Sequence, residues 1–412
     1  MPPEPLDAAG PAGSDAQAGG GAGYAALLVA AGSWFGAWGI QMVIFQWLVV
    51  EVLNEGSARV GAAQMAVSLP SLLFLLLGGA AADRIDPRRM LFAVHLAGAL
   101  SVAGLCALVA LQELSYPTLL IFAGAIGTLQ AFGLPARDTQ LSNVVRGPLS
   151  RAVTGTTMTQ HASQFTGALL AGAASWLGAL PVLAVQALVL LAGTAGISRL
   201  PARATPRSPR TPLALRDLAA GVLEVFRSPV LRPVMILAIS TGLFFVGPFL
   251  VILPLMVRDV YAGGAAEMGV LTSMFPLGSV LGGLVILGRG GIQRNGLALA
   301  TGQLVAVLCI GAIALDLSFP GTACAVLGWG VAGALFINAG RTLFQQHASE
   351  RNRARVLSVY TLGIMGGGPI GSLLSGLLAD PLGLHATLAL SAGIAASILV
   401  GVLTTTRLGS IR

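Results

Sequence analysis

The 412 residues are 55% hydrophobic and only 9% charged, whereas a soluble chain carries about a quarter charged residues. So little polar surface excludes a water-soluble globular protein and predicts a chain that lies in a lipid bilayer. The formal charge is +7. In a membrane protein, such a basic excess is more typical of cytoplasmic loops than of a nucleic-acid surface.

The first 23 residues are rich in Pro, Gly and Ala, and their charged residues are acidic. They lack the basic segment that opens a secretory signal. Residues 1–23 are therefore predicted to form a disordered cytoplasmic tail.

Apolar runs long enough to cross a bilayer recur along the rest of the chain. A membrane core of about 30 Å needs about 20 apolar residues per helix. The pattern predicts an all-α integral membrane protein with twelve transmembrane helices in two six-helix bundles, 24–198 and 233–407, followed by a short tail, 408–412. The predicted helices are 24–50, 60–82, 89–111, 116–135, 152–176, 179–198, 233–257, 265–288, 295–315, 321–341, 356–378 and 384–406.

The stretch between the bundles, 199–232, is predicted to be a cytoplasmic linker. Its first part has Pro and Arg at short intervals. Its second part places Leu215, Leu218, Val222 and Phe226 on one helical face, which is typical of a helix that lies on a membrane surface.

The distribution of arginine predicts the orientation of the chain. If both termini are cytoplasmic, the inward loops and their borders contain every arginine except Arg59 and Arg258. Positive residues favour the cytoplasmic side. We therefore expect a multi-pass protein of the bacterial inner membrane with both ends in the cytoplasm.

Charge is concentrated between the second and third predicted helices, in "GGAAADRIDPRRM". This stretch resembles the signature of the major facilitator superfamily, which reads roughly G-x-x-x-D-R-x-G-R-[RK]. Asp86 stands where the family has Gly, and Pro87 stands where it often has Arg. The matching residues are Gly79, Asp83, Arg84 and Arg88, with Arg89 just beyond.

The resemblance implies a role for these charges. In the family, the Asp lies near a helix N-terminus and pairs with basic residues, and the Gly lets helices approach closely. Together they latch the two halves on the cytoplasmic side, and the latch breaks and forms again during alternating access. The alternative is a positive-inside loop without a latch.

Two longer runs, "GLPARDTQLSNVV" and "RVLSVYTLGIMGGGPIGSLLSG", resemble the exporter branch of this superfamily, which includes bacterial siderophore and drug efflux proteins. The fifth predicted helix has Gly167 and Ala168 where antiporters often have Gly-Pro. The resemblance implies secondary active export, by proton antiport, of a small apolar or amphipathic compound such as an antibiotic, a natural product or a siderophore. The alternatives are an uptake facilitator and a membrane sensor of the same fold that does not transport.

Few ionisable groups lie within the predicted helices, and such groups are expensive in a membrane. His161 is the deepest candidate for proton coupling, and it shares a helical face with Thr157 and Gln164. Glu51 and Asp138, at helix ends, are the other two candidates. The alternative for His161 is a neutral side chain that hydrogen-bonds to a neighbouring helix.

The first predicted helix carries a stripe of large side chains, with Trp34, Trp38, Gln41 and Phe45 at helical spacing. The superfamily lines its central cavity with the first, fourth, seventh and tenth helices. The resemblance therefore implies that this face binds substrate; the alternative is helix packing. The other polar candidates for the cavity are Gln130, Gln164 and Asn338.

Other chemistry has no support in the sequence. It contains no GxxxxGK[ST] loop for ATP and no HExxH, GxSxG or paired-cysteine motif. Cys106, Cys309 and Cys324 lie in apolar runs with neither disulfide nor metal-site spacing. We expect no enzymatic activity, cofactor or metal. The expected partners are a small-molecule substrate, the bilayer and protons, without nucleic acid, and the expected state is a monomer.

Overall fold

A computed structural model describes residues 14–145, 149–202, 215–349 and 353–411. All regular secondary structure in these ranges is helical. The apolar composition explains this, because a bilayer offers no water to the backbone and a helix satisfies its own N–H and C=O groups.

The first half has six long helices. The first is extended to Val52 by a π-helical turn, Leu48–Val52, and a single-turn helix follows the fifth. The helices are α1 Ser14–Trp47, α2 Ser57–Arg84, α3 Pro87–Ala110, α4 Tyr116–Val144, α5 Leu149–Ala171, the short α6 Ala174–Leu177, and α7 Ala179–Ser198.

The second half follows a linker helix and repeats the arrangement. Its first span is interrupted by two π-helical turns, Gly242–Val246 and Pro248–Ile252. A proline such as Pro248 cannot donate the regular hydrogen bond of an α-helix. The helices are α8 Leu215–Arg227 in the linker, then α9 Leu231–Thr241, α10 Leu253–Asp259, α11 Ala265–Gly288, α12 Asn295–Ile313, α13 Phe319–His347, α14 Arg353–Leu382 and α15 Leu384–Thr405.

Eleven helices in the described residues are long and apolar enough to cross a membrane. The remaining predicted span corresponds to α5, which is not among these eleven. It has 23 residues, but its polar run "TGTTMTQHASQFTG" makes it less apolar than the others. It packs against α1 of its own half and α11 of the other half, so protein shields much of its surface from lipid.

Two boundaries differ most from the predicted ones. α1 begins at Ser14, inside the stretch predicted to be a disordered tail, although the four glycines between residues 14 and 23 disfavour a helix. Residues 1–13 lie outside the described ranges. α4 continues past Pro135 to Val144, since neighbouring helices in a membrane bundle let a proline remain inside a helix.

The two halves meet mainly through the helix pairs α2–α14 and α5–α11. We call the end of the molecule with the α1–α2 connection the outer end and the opposite end the inner end. Near the outer end the hydroxyl of Ser57 donates to the carbonyl of Gly376 at 2.6 Å, and a side chain on Gly61 would collide with the backbone of α14. Small residues thus bring the halves into direct backbone contact at this end.

The linker helix α8 lies against the inner end of the second half. Val225 is buried, and a side chain on Gly221 would lie 3.2 Å from Arg355. The Glu224 carboxylate accepts hydrogen bonds from the backbone N–H and hydroxyl of Ser349 at 2.8 and 3.0 Å. Of the predicted apolar face, Val222 and Phe226 are exposed, and the side chains at 215 and 218 lie outside the description.

Candidate functional site

A cavity of about 230 Å³ lies between the two halves. Helices α1, α2 and α4 form one wall, and the π-helical segment after α9 together with α14 forms the other. None of the described residues that line it is charged. Its polar groups are four glutamines and two serines, Gln41, Gln46, Gln64, Gln130, Ser68 and Ser71, set among apolar side chains that include Trp38, Phe45 and Leu250.

Gln41 is held in place by a second glutamine behind it. The amide nitrogen of Gln186 on α7 donates to the Gln41 side-chain oxygen at 2.7 Å and to the carbonyl of Ala37 at 3.2 Å. The Gln41 amide nitrogen is itself buried without a hydrogen-bond partner among the described residues. A buried donor without a partner costs free energy, so this nitrogen is available to an acceptor on a ligand.

The predicted stripe on α1 divides between two environments. Trp38, Gln41 and Phe45 line the cavity between the halves. Trp34 instead packs inside the first half, against His95 of α3 with a ring-centroid distance of 5.4 Å. Gln130 reaches both this inner packing region and the central cavity.

A second cavity of about 230 Å³ lies in the inner half of the molecule, where α5 faces α11 and α13. It brings together His161 and Asn338, which the sequence suggested for different roles, and adds Arg341. Gln164 lines neither of these cavities; the backbone at Gln164 packs against Gly39 of α1.

The outer end carries a charged contact between the halves. Arg258 of α10 donates to the backbone carbonyls of Val50 and Glu55 in the first half, at 3.0 and 3.2 Å. It also forms an ion pair with its neighbour Asp259 at 2.6 Å. Glu51 lies close enough for its charge to interact with both. One of its carboxylate oxygens is buried and has no hydrogen-bond partner within the described ranges. We call this contact the outer gate.

At the inner end, the described contacts of the predicted latch residues stay within the first half. Asp86 caps α3 by accepting the backbone N–H of Arg88 at 3.1 Å, and the Arg88 side chain donates to the carbonyl of Ser198 at 2.5 Å. Arg84 and Arg89 are exposed. Asp83 belongs to α2, and its side chain lies outside the description.

The close helix approach that the motif implies is made by a different glycine. A side chain on Gly78 would collide with the Ala131 carbonyl of α4, whereas the space beside Gly79 is open. The expectation for Gly79 is therefore corrected. The two residues are neighbours, and Gly78 is the one on the helix face that meets α4.

Asp138, a candidate for proton coupling, pairs with a residue that sequence reasoning passed over. Arg137 of α4 keeps only 14% of its side chain exposed, lies 4.6 Å from the ring centroid of Phe35 and contacts Asp138 at 3.5 Å. The Asp138 side chain is 67% exposed. The buried group at this site is therefore the cation.

Three arginines that lie at these sites were not among the candidate residues predicted from the sequence: Arg137, Arg258 and Arg341. The sequence did contain a signal for Arg258, because it is one of the two arginines that lie outside the predicted inward loops and their borders. The arginine distribution assigns Arg137 and Arg341 to the inward loops and their borders, but both lie within long helices.

Two bundles of long apolar helices, closed against each other around a central cavity, define a multi-pass membrane protein with the fold of the major facilitator superfamily. Solved structures share this fold. The nucleoside transporter NupG superposes with a TM-score of 0.70 over 92% of this chain and 98% of that one, at 12% identity. A peptide transporter, POT, gives 0.74 over 94% and 95%, at 15% identity.

Residues 24–410 match the model of the transmembrane secretion effector family, and the chain belongs to that family. The multidrug efflux pump Tap of Mycolicibacterium fortuitum is 29% identical over 391 residues, which cover 89% of this chain and 91% of Tap. The enterobactin exporter EntS of Shigella flexneri is 24% identical over 330 residues, which cover 79% and 78%.

Proposed function

We propose that this protein is a secondary active exporter that moves a small apolar or amphipathic compound out of a bacterial cell by alternating access. The observation that carries the proposal is the uncharged cavity between the halves, about 230 Å³ in volume. Such a cavity suits an apolar body with a few hydrogen-bonding groups. The similarity to Tap and EntS supports export over uptake, and antibiotics, natural products and siderophores are the substrate classes it favours.

The outer gate and the inner latch act as alternative closures in this mechanism. In the conformation described above, the outer end is closed by Arg258 and by the backbone contacts of α2 with α14. Opening it requires those contacts to break while the end of α2 that carries Asp83 and Arg84 closes the inner end. Each state then exposes the cavity to one side of the membrane only.

We propose protons as the coupling ion, with both termini in the cytoplasm. Glu51 is best placed of the three candidates, because its carboxylate lies at the outer gate beside Arg258 and Asp259. A proton taken up from outside would remove the charge that faces Arg258 and so weaken the contact between the halves. His161 and Asp138 lie farther from this contact along their helices.

Transport into everted membrane vesicles tests the proposal. A dye exported by the protein should accumulate in vesicles that contain it, and collapse of the proton gradient with an uncoupler should abolish that accumulation. Accumulation that persists unchanged after the collapse would exclude proton drive. Equal accumulation in vesicles without the protein would exclude export.

A further inference from the structure

The second cavity, between α5, α11 and α13, differs in chemistry from the central one. Most of its wall is apolar, with Met158, Val280 and Ile337 among the lining residues, but one end carries a cation, Arg341. None of the described residues that line this cavity is acidic.

Arg341 has no carboxylate partner within the described residues. Its side chain is exposed, and no described Asp or Glu forms an ion pair with it. A guanidinium presents five N–H donors in a planar fork that matches the two oxygens of a carboxylate. Because Arg341 lies inside α13, before its end at His347, its charge is held near the apolar wall rather than out in a loop.

Two further polar groups face the same cavity. The Asn338 amide nitrogen donates to the carbonyl of Ala334 at 2.8 Å, which leaves one N–H and the side-chain oxygen free. Asn338 lies three residues before Arg341 and therefore on the same helix face. His161 approaches from α5, and its Nδ1 atom is buried without a hydrogen-bond partner in the described part of the chain.

We propose that this cavity is a binding subsite for the acidic group of an amphipathic compound, with Arg341 as the residue that recognises the charge. The apolar wall takes the body of the molecule, and Asn338 and His161 supply neutral hydrogen bonds beside the acid. The proposal rests on the export function proposed above, since it assigns a chemical class to the transported compound: a largely apolar molecule with one carboxylate.

Binding of a matched pair of probes tests the subsite. The probes are 11-(dansylamino)undecanoic acid and its methyl ester, which share the apolar body and differ in the charge. Dansyl fluorescence is titrated with the full chain in lipid nanodiscs, and signal from empty nanodiscs is subtracted. We expect the wild-type protein to bind the acid roughly tenfold more tightly than the ester, the range of a charge-assisted hydrogen bond. Arg341→Gln should bind the acid no better than the ester and leave ester binding unchanged.

Three further variants locate the effect. Arg341→Lys keeps the charge but not the fork, so a reduced preference for the acid should remain. Ile337→Trp, which fills the cavity from an exposed position, should weaken both probes. Arg289→Gln, an exposed arginine after the end of α11, should change neither.

Equal affinity of the wild-type protein for acid and ester, or an unchanged preference in Arg341→Gln, would overturn the subsite. Export is measured separately with the same probes in everted vesicles. If the ester accumulates but the acid preference is missing, the subsite is wrong and export stands. If the preference is present but neither probe accumulates, the subsite stands and the export proposal is in error.

Discussion

At the residue scale, three arginines of the bundle differ in how their charge is balanced. Arg137 combines the ring of Phe35 with the carboxylate of Asp138. Arg258 combines Asp259 with two backbone carbonyls of the other half. Arg341 is exposed and has no carboxylate partner among the described residues, and this difference is the reason that we propose it as a ligand-binding residue.

Asp83 is the acidic residue of the predicted latch. We expect Asp83→Asn to reduce export strongly while the protein still inserts at normal levels. Asn keeps the size but loses the charge, and a charge-assisted hydrogen bond contributes ~1.5–3 kcal/mol. Inward- and outward-facing states typically differ by a few kcal/mol, so this loss could reverse their populations. Vesicle transport, normalised to the amount of protein in the membrane, measures the effect.

Asp86→Asn is the matched control for this prediction. Asp86 caps α3 by accepting the N–H of Arg88, and Asn caps helices about as well as Asp does. Its export should therefore stay near the wild-type rate. A wild-type rate in Asp83→Asn would show that the charges of this loop determine topology only.

At the element scale, the positions of the helices could largely be predicted from the sequence, whereas the contacts of their polar side chains could not. Hydropathy identified the spans because each must bury its backbone in lipid. The extension of α4 beyond Pro135 was missed, since a proline ends most helices in water but not those inside a bundle.

Site residues were harder to predict than spans because one sequence stripe can face two partners. Trp34 and Trp38 are one turn apart on α1, yet one contacts His95 inside the first half and the other lines the cavity between the halves. Which partner each side chain faces depends on the slow rotation of the stripe around the helix and on the angles at which neighbouring helices cross it. The spacing of residues in the sequence shows neither. His161 and Asn338 line one cavity because α5 and α13 both pack against α11.

The outer gate is a contact between helices of the two halves, and a substitution in it should change how often the outer end opens. Arg258→Gln should weaken the contact of α10 with the first half and open the central cavity to the outside more often. In a variant without Cys106, Cys309 and Cys324, a cysteine at Ser68, which lines that cavity, should react several-fold faster with a membrane-impermeant thiol reagent added outside. Loss of one charged contact between the halves shifts the ratio of the inward- and outward-facing states by roughly a factor of ten.

Arg59→Gln is the control for the gate. Arg59 also lies near the outer end, but its side chain is exposed and its ion pair with Glu55 at 2.8 Å lies within the first half. Exposed pairs contribute little, so labelling at position 68 should not change. If Arg258→Gln labels at the wild-type rate, Arg258 does not hold the outer end closed.

At the scale of the whole molecule, the arginine asymmetry predicts that the α2–α3 connection is cytoplasmic. A cysteine in place of Asp86 should react with an impermeant reagent only after the membrane is opened or in everted vesicles. A cysteine in place of Glu113, in the α3–α4 connection, should react in intact cells. Labelling of the cysteine at position 86 from outside would invert the topology and, with it, the assignment of the outer gate.

Alternating access requires the outer end to open in every transport cycle. Ser175 of α6 and Ala266 of α11 belong to different halves and meet at this end, where the N–H of Ala266 donates to the Ser175 hydroxyl at 2.8 Å. A variant with Ser175→Cys and Ala266→Cys, and without the native cysteines, can be bridged there by a short bis-thiosulfonate reagent. We expect bridging to stop export, reduction to restore it, and the same reagent to leave the Ser175→Cys single variant active. Export at an undiminished rate by the bridged protein would exclude alternating access through the outer end.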